Sequence, residues 1–197
     1  MSGILDLLQG QLGQSAIEQL GGQLGLDQDK AASVVSGALP LLVQALARNS
    51  SDASGASALA GALEKKHDGS ILDNVSDFLG SGNFGDGQAI LGHVLGGQQS
   101  VVASGLGKAT GLDQQQVGQV LAALAPLVLG AVGKIKSEKG LDASGLMDLL
   151  GKEKSAVENK NPDAMGVLSK LLDTNNDGDI SDDLINIGGK LLGGFLK

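Results

Sequence analysis

The residues best equipped for chemistry lie near the C-terminus, in the run Asp173-Thr174-Asn175-Asn176-Asp177-Gly178-Asp179-Ile180-Ser181-Asp182-Asp183. Their order matches the first half of an EF-hand calcium loop, in which Asp or Asn recurs at alternate positions ahead of a glycine. Calcium is a hard cation that takes six to eight oxygens in an adaptable cage. Asp173, Asn175 and Asp177 would supply side-chain oxygens, and Asp179 its backbone carbonyl. Gly178 permits the sharp turn, and Ile180 would anchor the loop on apolar neighbours. The twelfth position, where an EF-hand places a bidentate Glu, is Leu184. Asp182 or Asp183 would therefore have to close a shorter loop. Calcium is the cofactor expected, at a structural or modest site. The alternative is an Asx-turn that caps the last helix and needs no ion. Against it stands the mutual repulsion of closely spaced carboxylates, which a cation relieves.

Other chemistry is sparse. The chain has two histidines, His67 and His93, and no cysteine. That excludes thiol nucleophiles, disulfides and thiolate metal sites, and a three-histidine zinc centre. His93 lies in the apolar segment Ile90-Leu91-Gly92-His93-Val94-Leu95 and pairs with no evident Ser or carboxylate. A partly buried structural imidazole is the expectation there, and a solvated turn residue for His67. Lys134, Lys136 and Lys139 with Glu138 read as a solvated insertion loop. Gly85-Asp86-Gly87 lacks the lysine and the strand-to-helix setting of a phosphate loop. The expectation is a protein that is not an enzyme.

The Asp-rich run needs helices to hold it. Met165, Leu168, Leu171 and Leu172 recur at helical spacing before it, and Leu184, Ile187, Leu191 and Phe195 after it. The predicted unit is a C-terminal EF-hand-like helix-loop-helix. Further back, an internal repeat organises the chain. At a shift of 86, Gly25-Leu26-Asp27-Gln28 falls on Gly111-Leu112-Asp113-Gln114, and Pro40-Leu41 on Pro126-Leu127. Asp52-Ala53-Ser54-Gly55 matches Asp142-Ala143-Ser144-Gly145, and Asp68-Gly69 matches Asp177-Gly178. This predicts two related helical subdomains from a duplication, residues 1–85 and 86–197. In the first, the Asp-rich positions become Glu64, Lys66 and Asp68, so the turn is expected without its metal.

Ala32, Val35, Leu39, Leu42, Val43 and Leu46 line one helical face, as do Val117, Val120, Leu121, Leu124, Val128 and Val132. Asp27, Asp113, Asp52 and Asp142 are placed to cap helices. Asn161-Pro162 marks another start. Pro40 and Pro126 interrupt the apolar pattern and predict a break or sharp kink. Strand patterning is nearly absent. The fold class expected is all-α and multihelical.

Three features together give a resemblance: the Gly-Leu-Asp starts at 25–27 and 111–113 leading to Pro-Leu, the segment Ile90-Leu91-Gly92-His93, and the Asp-Gly run near the end. The chain is similar to the YidB-like bacterial family of unknown function. The resemblance implies an all-helical fold with a homeodomain-like helix arrangement and a bacterial source, and it supplies no activity. The homeodomain-like element raises DNA binding as an alternative. Its candidate recognition helices, Leu41–Arg48 and Leu127–Lys134, are mostly apolar with one cation each.

Composition fits protein contacts better. The net charge is −8 and aromatics are 2% of residues, so phosphate attraction and stacking platforms are both poorly provided. The partners expected are a protein or a second copy of the chain, with no nucleic acid. The apolar run Val117 to Gly133 is shorter than the ~20 residues of a membrane span. A core helix, and no span, is expected. Met1-Ser2-Gly3-Ile4-Leu5-Asp6 has no basic leader, and a cytoplasmic location is expected.

Overall fold

The structure is a computed structural model that describes residues 3–160. The Asp-rich run 173–183, its flanking apolar stretches and the Asn161-Pro162 start lie outside the described residues. Within them the chain is all-helical. In order the helices are α1 (Ile4–Gln11), α2 (Gln14–Leu24), α3 (Gln28–Asn49), α4 (Ala53–Lys66), α5 (Val75–Ser81), α6 (Gly85–Val94), α7 (Gln99–Thr110), α8 (Gln114–Lys139) and α9 (Ala143–Lys160). Short 3-10 turns at Ser70–Asn74 and Gly96–Gln98 lead into α5 and α7. The described residues up to Val157 form one compact unit.

The local chemistry that starts and stops these helices recurs. α2 ends at Gly25 and α7 at Gly111, both in the left-handed region with φ of 65° and 70°. The next amide closes the same bond each time, Leu26 N–H to the Gly21 carbonyl at 2.9 Å and Leu112 N–H to the Gly107 carbonyl at 3.1 Å. This is a Schellman closure, for which glycine carries no Cβ penalty. Asp27 then accepts from the Lys30 amide at 2.9 Å and Asp113 from the Gln116 amide at 2.8 Å. Gln116 Oε1 accepts the Asp113 amide in return, which completes a capping box. Asp52 caps α4 through the Gly55 amide at 2.9 Å, and Asp142 caps α9 through the Gly145 amide at 2.8 Å. Each such cap stabilises its helix by about 1 kcal/mol.

α8 is the axis of the unit. Every residue from Val120 to Gly133 is buried, so the helix has no solvent face along that stretch. A helix that is apolar all round belongs inside. It packs against α1, α2, α3, α4, α6, α7 and the Ser70–Asn74 turn. By length and composition α3 and α8 could each cross a bilayer, but 61% and 83% of their apolar windows are buried against other helices here.

Two expectations are corrected. Pro40 and Pro126 do not break their helices, because α3 and α8 run unbroken through them. Pro126 lacks the amide that would bond the Ala122 carbonyl one turn earlier. Against that carbonyl lies Gly87 of α6, whose missing Cβ is the space the oxygen occupies. Neighbouring helices hold α8 on both sides of the proline, which offsets the lost bond. Secondly, Lys134–Lys139 is no loop. It is the last part of α8, with no breaker before Gly140, which closes the helix at φ 60°. There Lys136 reaches Glu64 of α4 at 2.7 Å. Glu64 and Lys66 are likewise helical residues of α4, and Asp68 alone of those three sits in a turn, accepting the Ser70 amide at 3.0 Å.

Candidate functional site

The expected site residues Asp173, Asn175, Asp177, Asp179, Asp182 and Asp183 all lie outside the described residues. Among the described residues, no three of His, Asp and Glu gather as a metal set. What the fold does assemble is an apolar groove of about 510 Å³ between the end of α3, α4, α6 and the middle of α8. Its walls carry Leu46, Leu59, Ile90 and Val94, and Leu129 of α8 contributes to the lining. Ala58 and Ala62 leave α4 low on one side, and both are exposed. The volume falls within the usual span of about 300–1,000 Å³ for binding pockets.

Specific contacts fix the walls. Asn49, the last residue of α3, donates Nδ2 to the Val94 carbonyl at 2.8 Å and to the His93 carbonyl at 3.1 Å, tying the ends of α3 and α6 together. Gly55 lets α4 start against the Asn49 carbonyl, and Gly133 lets the chain after α4 lie on α8 at the His67 carbonyl. Ser50 is buried, and its hydroxyl donates to the Leu46 carbonyl at 2.6 Å. That hydroxyl is committed to the backbone and is not activated by an imidazole.

Both histidines of the chain line this groove. His93 is exposed on α6, which corrects the expectation of a partly buried imidazole. His67 is half-buried where α4 ends, which corrects the expectation of a solvated turn residue. It also lines a neighbouring polar cleft of about 360 Å³ with Asp68 and Asp86. Burial lowers its pKa, Lys66 adds to the effect, and Asp86 and Asp68 oppose it. The folded protein therefore binds this proton less readily than the unfolded chain, whose His titrates near about 6.5. The stability this confers is complete above that value and is lost as pH falls through it toward the lower folded pKa. His67→Gln should flatten the fall in melting temperature between about pH 7 and pH 5. An unchanged slope in the variant would show that His67 is not the source.

A second cleft, of about 560 Å³, is lined by Gln88, Gly97, Gln99, Ser100, Ala103, Gln114, Gln115, Gly118 and Gln119. Gln99 Nε2 donates to Gln88 Oε1 at 3.2 Å, and Gln114 Nε2 to the Ser100 carbonyl at 3.3 Å. Neither cleft was foreseen from sequence, since each draws residues from distant segments. The pair Gln115 and Gln119, one helical turn apart, was the one local signal for the second.

The family model for DUF937, described as a bacterial protein of unknown function, matches residues 6–135. This chain belongs to the DUF937 family. YidB is a member of the same family, as the Gly-Leu-Asp and Ile-Leu-Gly-His resemblance implies. The DUF937 match runs from within α1 to near the end of α8, so both clefts fall inside it and the Asp-rich run falls outside. No curated protein and no solved structure matches the chain. The segments considered as recognition helices prove to be the second halves of α3 and α8. Leu127 to Gly133 is buried within the helical core.

Proposed function

We propose that this DUF937 protein is a non-enzymatic helical binding protein. It acts through protein contacts, with a calcium-binding Asp-rich loop at 173–183. The observation that carries the reading is the groove between α3, α4, α6 and α8. Its partly exposed Leu59 and Ile90 present apolar surface in a concave seat, with no ionised carboxylate or lysine among the lining residues. Helix-walled apolar grooves take the apolar face of an amphipathic helix, anchored by residues three and four apart. Such a helix from a partner protein is the occupant proposed. The committed Ser50 hydroxyl supports a binding role over nucleophilic chemistry.

The recurrence of caps and closures 86 to 90 residues apart supports descent by duplication, with copies at 1–85 and 86–197. In this reading the two copies have merged around α8, and the second copy gained the loop carboxylates.

A photo-crosslinking residue at Ala62 tests the groove. In cells it should form an adduct of defined mass that is lost with Leu59→Glu. The same probe at exposed Ser137 should form none. Absence of an adduct at Ala62, or one indifferent to Leu59→Glu, would reject the groove as a docking site.

A further inference from the structure

We infer that the glutamine-lined cleft is a self-association surface and that its occupant is a second copy of this chain. None of its nine lining residues is ionisable. The chain carries a net charge of −8, so two copies repel over most of their surfaces. A charge-free patch is where they approach at least electrostatic cost.

The chemistry of the patch is also self-complementary. A two-fold interface sets the same surface on both sides, so the surface must satisfy itself. A patch of carboxylates alone or of ammonium groups alone fails that test, because each is acceptor-only or donor-only when ionised. The glutamine amide passes, because it carries both an acceptor and two donors. Five glutamines from α6, α7 and α8 meet in this cleft. Gln88 and Gln99 already show the pairing in one copy. Gln115 and Gln119 are exposed and have no side-chain partner among the described residues. They stand one turn apart on α8 and form a ridge. Gly97, Ala103 and Gly118 are small and leave room for a long side chain from the other copy.

Competing occupants fit less well. A phosphate backbone requires cations, and a sugar or base face requires an aromatic platform. The lining supplies neither. The surface is separate from the groove, and no groove residue lines it.

Sedimentation velocity across a concentration series of the full chain is the test. Wild type should shift from monomer to dimer as concentration rises. Gln115→Glu with Gln119→Glu sets like charges face to face and should weaken dimerisation roughly tenfold or more, with helical circular dichroism unchanged. Mixing that variant with Gln115→Lys/Gln119→Lys should restore a mixed dimer, which a purely structural role could not do. A wild type that stays monomeric throughout would overturn the inference. So would a dimer indifferent to the glutamine changes, or one lost with Leu59→Glu alone, which would move the contact to the groove. A monomer whose glutamine variants lose duplex DNA binding would reassign the cleft to nucleic acid and overturn it as well.

Discussion

Gly87→Ala should destabilise the fold by about 2–3 kcal/mol and lower its melting temperature by roughly 5–10 °C. The change adds one methyl group to a helix that otherwise favours alanine. Its effect depends on what lies where the Cβ would go. At Gly87 that space is held by the backbone of Ala122, with the carbonyl oxygen nearest. A backbone oxygen inside the central helix cannot swing aside as a side chain can. Either α6 moves off α8 or α8 is forced to bend near Pro126. Moving α6 uncovers Leu91 and Val94, which are buried on the same helix. It also disturbs the Asn49 bonds that align the groove wall. The control is Gly92→Ala on the same helix, where an added Cβ meets nothing within 4 Å. That change should raise stability by about 0.5–1 kcal/mol, because glycine alone carries extra unfolded-state entropy. Thermal melts of the pair should therefore move in opposite directions. Equal shifts would show that α6 does not rest on the proline-freed carbonyl.

The same contact explains where reading the sequence succeeded and where it failed. Asp27, Asp113, Asp52 and Asp142 were legible as caps because a cap is settled within four residues, by one carboxylate and the amides of the next turn. Gly25 and Gly111 stood out as the first residues of a repeated Gly-Leu-Asp motif, but their closure of α2 and α7 was not read from it. Pro126 was misread because its penalty is local while its compensation is not. The compensation comes from Gly87, thirty-nine positions earlier, and from the seven other elements that enclose α8. Lys134 to Lys139 was misread because charge suggested solvent exposure of a loop. A helix end satisfies the same charges, and cations in its last turn favour the dipole. The groove and the glutamine cleft depend on which helices cross, and no periodicity within one helix encodes that. Gln88, Gln99 and Gln115 gain their meaning only when α6, α7 and α8 converge.

Calcium should stabilise the full chain, and the size of the effect follows from the composition of the 173–183 run. Asp177, Asp179, Asp182 and Asp183 fall within seven residues, with Asp173 and Asn175 just before them. Without a cation, closely spaced carboxylates repel one another. A divalent ion reverses that cost and releases protons, so binding should weaken as pH falls below about 5. Leu184 at the closing position removes the bidentate ligand, which points to a dissociation constant of about 10⁻⁴ M, toward the weak end of calcium loops. Calcium at about 10 mM would then exceed that constant a hundredfold and stabilise the loaded form by about 2.7 kcal/mol. For a chain of this length that corresponds to a rise of roughly 5–10 °C in the calorimetric melt over EDTA. Magnesium should reproduce little of it, since it sheds water reluctantly and demands a tighter octahedron. Asp173→Ala with Asp177→Ala removes two alternate-position ligands and should abolish both the rise and the heat of calcium titration. Melts identical in calcium and EDTA, with no titration heat, would leave the run as an Asx-turn capping a helix, because an Asx-turn accepts backbone amides and has no thermodynamic link to the ion.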